Sequence, residues 1–166
     1  MEQNTSIKEK VLHPEQSGKN QAANPRPSEA AGDKCAQELD ARLCTALRAA
    51  NDKKALEMVV LDLREIASFT DYFLIASGTN VRQVQAISDE IAERLKKQGT
   101  PAERIEGYKS AEWILLDYGD FLVHVFEDKS RKFYDLERLW RDARRLEINA
   151  ALLDQPDAGS LRNSQS

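Results

Sequence analysis

Between Tyr72 and Gly99 a short apolar stretch passes through a single glycine into a long amphipathic one. Tyr72 to Ser77 reads as a strand that ends at Gly78. Directly after it, Val81, Val84, Ile87, Ile91 and Leu95 recur at steps of 3, 3, 4 and 4, the period of one helix face. Thr79 or Asn80 can cap the start of that helix. Gly99 stops it, followed by Pro101. Such a unit sets a helix directly after a buried strand, which a sheet layered with helices accommodates.

The flanking segments extend the pattern. A helix is expected over about 33–50, with Asp33 as N-cap and Leu39, Leu43, Leu47 and Ala50 as its apolar stripe. A strand follows at about 55–62. Its continuous apolar run, Met58 to Leu61, predicts a central strand buried on both faces. A short strand is expected at 104–108. Residues 112–117 and 121–126 read as a hairpin turning at Gly119-Asp120. A last helix is expected over about 128–147, with Phe133, Leu136, Trp140 and Ala143 facing the core. The predicted class is α/β: a single mixed sheet of about five strands, flanked by helices.

Residues 1–32 carry Pro14, Pro25 and Pro27, a polar surplus and no periodic apolar face. They are expected to be a disordered tail, since little surface is available to offset ordering entropy. Residues 33–150 form the expected domain and 151–166 a flexible C-terminal tail. Apolar runs such as Phe73–Ala76 and Trp113–Leu116 hold four residues, against roughly 20 for a membrane helix, so no membrane partner is expected. Cys35 and Cys44 fall on one expected helix, nine residues apart. That spacing sets them on opposite faces and about 13 Å apart along the axis, whereas a disulfide needs roughly 7 Å or less. Both are expected to be free thiols in a reducing compartment. With no apolar signal core and four acidic residues in the first 32, a cytoplasmic location is expected.

Little in the chain suggests chemistry. The turn Gly78-Thr79-Asn80 could seat an anion at a helix start, but it lacks the glycines and lysine of a phosphate loop. Asp117 and Asp120 could hold Mg²⁺ in a nucleotidyl transferase, yet they flank a turn that calls for such residues anyway. His13 lies in the tail and His124 inside a strand, sharing a face with Leu122 and Phe126. No nucleophile–base or metal-ligand cluster is visible, so no cofactor is expected. Charge is more informative. The net charge of −4 offers no global field for nucleic acid, and no sequence-specific binding to it is expected. Lys129–Arg145 has seven basic and three acidic residues, whereas Glu103–Asp128 has seven acidic and two basic. The run Trp113-Ile-Leu-Leu116 sits within that acidic segment. Either both its faces are covered, or an alternate pair stands exposed in an acidic rim. The latter is the composition of a docking patch for a basic protein.

Three stretches carry a resemblance. They are Thr70-Asp-Tyr-Phe-Leu-Ile-Ala-Ser-Gly-Thr-Asn-Val-Arg-Gln-Val-Gln-Ala-Ile87, Trp113-Ile-Leu-Leu-Asp-Tyr-Gly-Asp-Phe-Leu-Val-His-Val-Phe126 and Arg131-Lys-Phe-Tyr-Asp-Leu-Glu-Arg-Leu-Trp140. With Glu106-Gly107, they resemble the ribosomal silencing factor (Iojap) family over about 38–145. The resemblance implies a non-catalytic, homodimeric factor on a nucleotidyltransferase-like scaffold without catalytic carboxylates. It implies binding to the large ribosomal subunit through the basic large-subunit protein fourteen. Subunit joining would then be blocked and translation repressed when nutrients are scarce. The implied docking residues are Trp113, Ile114 and Leu115, with Lys109 and Asp117 as polar neighbours. The competing reading is a nucleotide-dependent transferase on the same scaffold.

Overall fold

The computed structural model describes residues 6–14, 35, 39–148 and 153. Its elements are α1 (Ile7–Leu12), α2 (Ala41–Asp52), β1 (Leu56–Asp62), β2 (Tyr72–Gly78), α3 (Val81–Lys97), β3 (Arg104–Glu106), β4 (Trp113–Asp117), β5 (Phe121–Glu127), α4 (Asp128–Tyr134), α5 (Leu136–Leu139) and β6 (Arg144–Glu147). One six-stranded sheet runs in the order β3-β4-β5-β2-β1-β6. The β2–β5 pair at its centre is parallel. The remaining pairs are antiparallel, so the sheet is mixed, as the element order predicts.

Alternation along the strands divides the core in two. Val60, Leu74, Ile114, Leu116, Val123 and Val125 point to one face, where they pack with Leu43 and Leu47 of α2 and Val84, Ile87, Ile91 and Leu95 of α3. The α3 residues are those of the sequence stripe. Asn80 caps α3, its side-chain oxygen accepting from the Gln83 amide at 2.9 Å. Val59, Leu61, Phe73, Ile75, Trp113, Leu115, Leu122 and Phe126 point to the other face. Short pieces cover that side: Val11 of α1, Leu63 and Ala67 of the β1–β2 connection, and Leu136 and Trp140 around α5.

The structure corrects the sequence reading at three places. First, the expected helix over 128–147 is broken. Asp135 takes a left-handed conformation, φ 47° and ψ 55°, where a helix cannot continue. Leu136 and Trp140 are buried as expected, but Phe133 is 79% exposed. The segment then becomes β6, pairing with the outer edge of β1 from Val59↔Glu147 to Asp62↔Arg144. A helix continued here would present Arg141, Arg144 and Arg145 with little to bury. As a strand the same residues satisfy an open sheet edge, and Leu146 and Ile148 reach the core.

Second, Cys35 and Cys44 are joined in a disulfide, with Cα atoms 5.9 Å apart. The expectation of free thiols assumed one continuous helix from 33. Instead α2 starts at Ala41, with Asp40 as its N-cap, so helical spacing does not separate the two cysteines. The thiol argument for a reducing compartment falls with it; the expected Asp33 cap lies outside the described residues. Third, residues 7–12, expected within a disordered tail, form α1, and Val11 is fully buried. The expected tail at 151–166 lies outside the described residues, Leu153 apart. No helix among the described residues is long and apolar enough to cross a membrane.

Candidate functional site

Strand β4 lies one place in from the sheet edge, between β3 and β5. Its register with β5 pairs Trp113 with Phe126 and Leu115 with His124. The indole of Trp113 stacks on Phe126 with ring centroids 5.1 Å apart and meets Tyr134 at 4.8 Å. Its Nε1–H donates to His124 Nδ1 at 3.1 Å. The lone pair of His124 is therefore on Nδ1 and its proton on Nε2, where no partner is found among the described residues. Burial holds the His124 pKa down to about 3, with the nearby Lys8 charge pushing the same way. His124 is thus a neutral aromatic spacer, poorly placed to act as a base.

Lys8 of α1 closes the site. Its ammonium lies 4.6 Å from the centre of the Trp113 ring, a cation–π distance, and donates to the Trp113 carbonyl at 2.7 Å. Burial lowers the Lys8 pKa, partly offset by the charges of Glu106 and Glu112. Gly107 makes room for this contact. Its φ is +79°, and a Cβ there would stand 2.2 Å from the Trp113 carbonyl oxygen and 2.7 Å from Lys8 Nζ. A side chain would fill the lane the ammonium uses.

The five residues implied as a docking surface are not brought to one face. Trp113, 4% exposed, and Leu115, fully buried, share the face beneath α1. Ile114 is fully buried on the opposite face with α2 and α3. Asp117 ends β4, its Oδ1 accepting from the Gly119 amide at 2.8 Å. Lys109 is exposed on the β3–β4 connection. The sequence reading missed Lys8, His124, Phe126 and Tyr134 as partners of Trp113. The hairpin turn already implied the Trp113–Phe126 register; nothing short of the fold implied Lys8.

Groups that a transferase would need are engaged elsewhere. The Thr79 amide, which would face an anion, donates to Gln83 Oε1 at 2.7 Å. Gln83 Nε2 in turn donates to the Lys53 and Lys54 carbonyls at 3.1 and 3.0 Å. Asp120 is ion-paired with Arg42 at 2.8 Å, and Asp117 holds its turn. The described residues contain no group of three His, Cys, Asp or Glu side chains able to hold a metal ion.

Comparison with known proteins adds to this geometry. The model of a family described as "Ribosomal silencing factor during starvation" matches residues 36–166. The chain is 42% identical to a ribosomal silencing factor of Halalkalibacterium halodurans over 107 residues, 64% of this chain and 92% of that one. It is 43% identical to the Bacillus subtilis ribosomal silencing factor over 98 residues, 59% and 83% of the two chains. It is also similar to a chloroplastic Iojap protein of Zea mays, 33% identical over 101 residues, 61% of this chain and 44% of that one. A crystal structure from Bacillus halodurans superposes with a TM-score of 0.57 at 42% identity, covering 64% of this chain and 96% of that one. One from Chromobacterium violaceum gives 0.61 at 31% identity, covering 71% and 99%.

Proposed function

The chain belongs to the ribosomal silencing factor family, and from that premise we propose that it binds the large ribosomal subunit and sterically blocks joining of the small one. The partner is the basic large-subunit protein fourteen, and the effect is repression of translation when nutrients are limiting. The chain works in the cytoplasm as a homodimer and by occupancy, without catalysis. The observation that carries this reading is the Trp113 face: an aromatic cluster of Trp113, Phe126 and Tyr134 near a sheet edge, with Glu106 and Glu112 beside it. Aromatic anchors within an acidic rim suit a basic protein surface. Trp113 is the apolar anchor in this reading and exposed Lys109 its polar margin, while Leu115, Ile114 and Asp117 hold β4 in place from within the fold.

The test uses purified subunits. Protein added to separated subunits should lower the joined fraction on a sucrose gradient in proportion to its occupancy of the large subunit. Blocking at sub-stoichiometric amounts, or only with a nucleotide present, would overturn the reading. Light scattering of the free protein tests the dimer.

A further inference from the structure

The cover over the Trp113 face comes from outside the family match. Helix α1 spans residues 7–12, and the match begins at residue 36. The residues aligned to the H. halodurans protein make up 92% of its length, which leaves under a tenth of that protein for any comparable segment. Yet α1 is fitted in detail. Ser6 Oγ donates to Glu106 Oε1 at 2.9 Å, and the Ile7 amide donates to Glu106 Oε2 at 3.4 Å. Lys8 takes the Trp113 carbonyl and the face of its ring. Val11 is fully buried, and its carbonyl accepts from Trp140 Nε1 at 2.8 Å.

The segment is therefore basic at Lys8, apolar at Ile7, Val11 and Leu12, and seated on an aromatic floor beside Glu106 and Glu112. That is the chemistry assigned above to the ribosomal partner. A six-residue helix cannot hold its own fold in water, so α1 keeps its helical form only while docked. We propose that residues 6–13 are a tethered pseudo-ligand that occupies the cleft a basic amphipathic segment of the partner protein would use. The chain restrains itself until that segment is displaced. The inference rests on the reading of the Trp113 face as the docking site. Affinity for the partner is then reduced by the fraction of molecules whose cleft is closed.

Two full-length variants test it, Val11→Asp and Lys8→Ala, each titrated against purified large subunits. Hydrogen exchange at the α1 amides reads the opening separately. Val11→Asp should abolish α1 protection and tighten subunit binding by about tenfold, the closed fraction being removed. Lys8→Ala leaves the apolar core whole and should tighten binding by about threefold. Loss of α1 protection with unchanged or weaker binding overturns the inference while leaving subunit binding intact. If wild type and variants are all folded and none binds large subunits, the docking reading fails, and the inference with it.

Discussion

Trp113 is 4% exposed, and the buried His124 imidazole depends on it for a hydrogen bond. The Trp113 ring packs against Phe126, Tyr134 and the Lys8 ammonium, and its Nε1–H supplies the one side-chain hydrogen bond found for buried His124 among the described residues. Truncation to alanine leaves a cavity and an unpaired imidazole, so Trp113→Ala should cost about 3–5 kcal/mol of stability, read from the urea midpoint. Trp113 is expected from the resemblance to anchor the partner, and in the free chain it is 4% exposed beneath α1. His124 yields a second expectation. Its folded pKa is about 3 and its unfolded value about 6.5. Above about pH 6.5 both states leave it neutral, and its contribution to stability is fully present. Between these values the unfolded chain binds the extra proton, so unfolding free energy should fall by about 1.4 kcal/mol per pH unit on acidification. Denaturation curves between about pH 4.5 and 6 should show that slope, and His124→Phe should flatten it. A wild-type slope near zero in that window would contradict the buried, neutral assignment.

At the scale of elements, legibility followed the strength of periodicity. Helix α3, the buried strands and the hairpin of β4 and β5 stand within a residue or two of where pattern and turn chemistry put them. The segment after Asp128 does not. Its apolar residues keep helical spacing through Trp140, and nothing local marks Asp135 as left-handed, since Asp is tolerated within helices as well as in turns. Beyond the break at Asp135, residues 144–147 pair with the open edge of β1, a partner that exists only once the sheet is assembled. The same holds for the disulfide, which became possible because α2 begins six residues after Cys35. The Glu106-Gly107 pair was visible as part of a resemblance, and the structure supplies its cause. Gly107 has positive φ and backs onto the Trp113 carbonyl. Gly107→Ala combines backbone strain with a steric clash and should destabilise the protein by more than about 2 kcal/mol. It should also raise the exchange rate of α1 amides, because the lane for Lys8 is blocked. A melting temperature equal to wild type would show that the β3–β4 connection yields more easily than its contacts suggest.

Across the whole molecule the two faces of the sheet are closed in different ways. One lies under α2 and the 17-residue α3, whose apolar stripe is continuous with the strands beneath it. The other is closed by α1, the 63–67 connection and the four-residue α5, pieces joined to the sheet by few side chains each. The central β2–β5 ladder is paired over seven residues and sealed on both sides. Local stability tracks buried apolar contact and hydrogen-bond shielding, so the molecule should open from its second face first. In native-state hydrogen exchange the amides of β2 and β5 should exchange only through global unfolding. Those of α1 should open at a free energy at least about 3 kcal/mol lower, with α5 between them. The ordering matters for function, because the face that opens most readily is the one carrying Trp113. A map in which α1 exchanged as slowly as β5 would mean that the cover and the sheet form one cooperative unit, and that partner binding cannot draw on local opening.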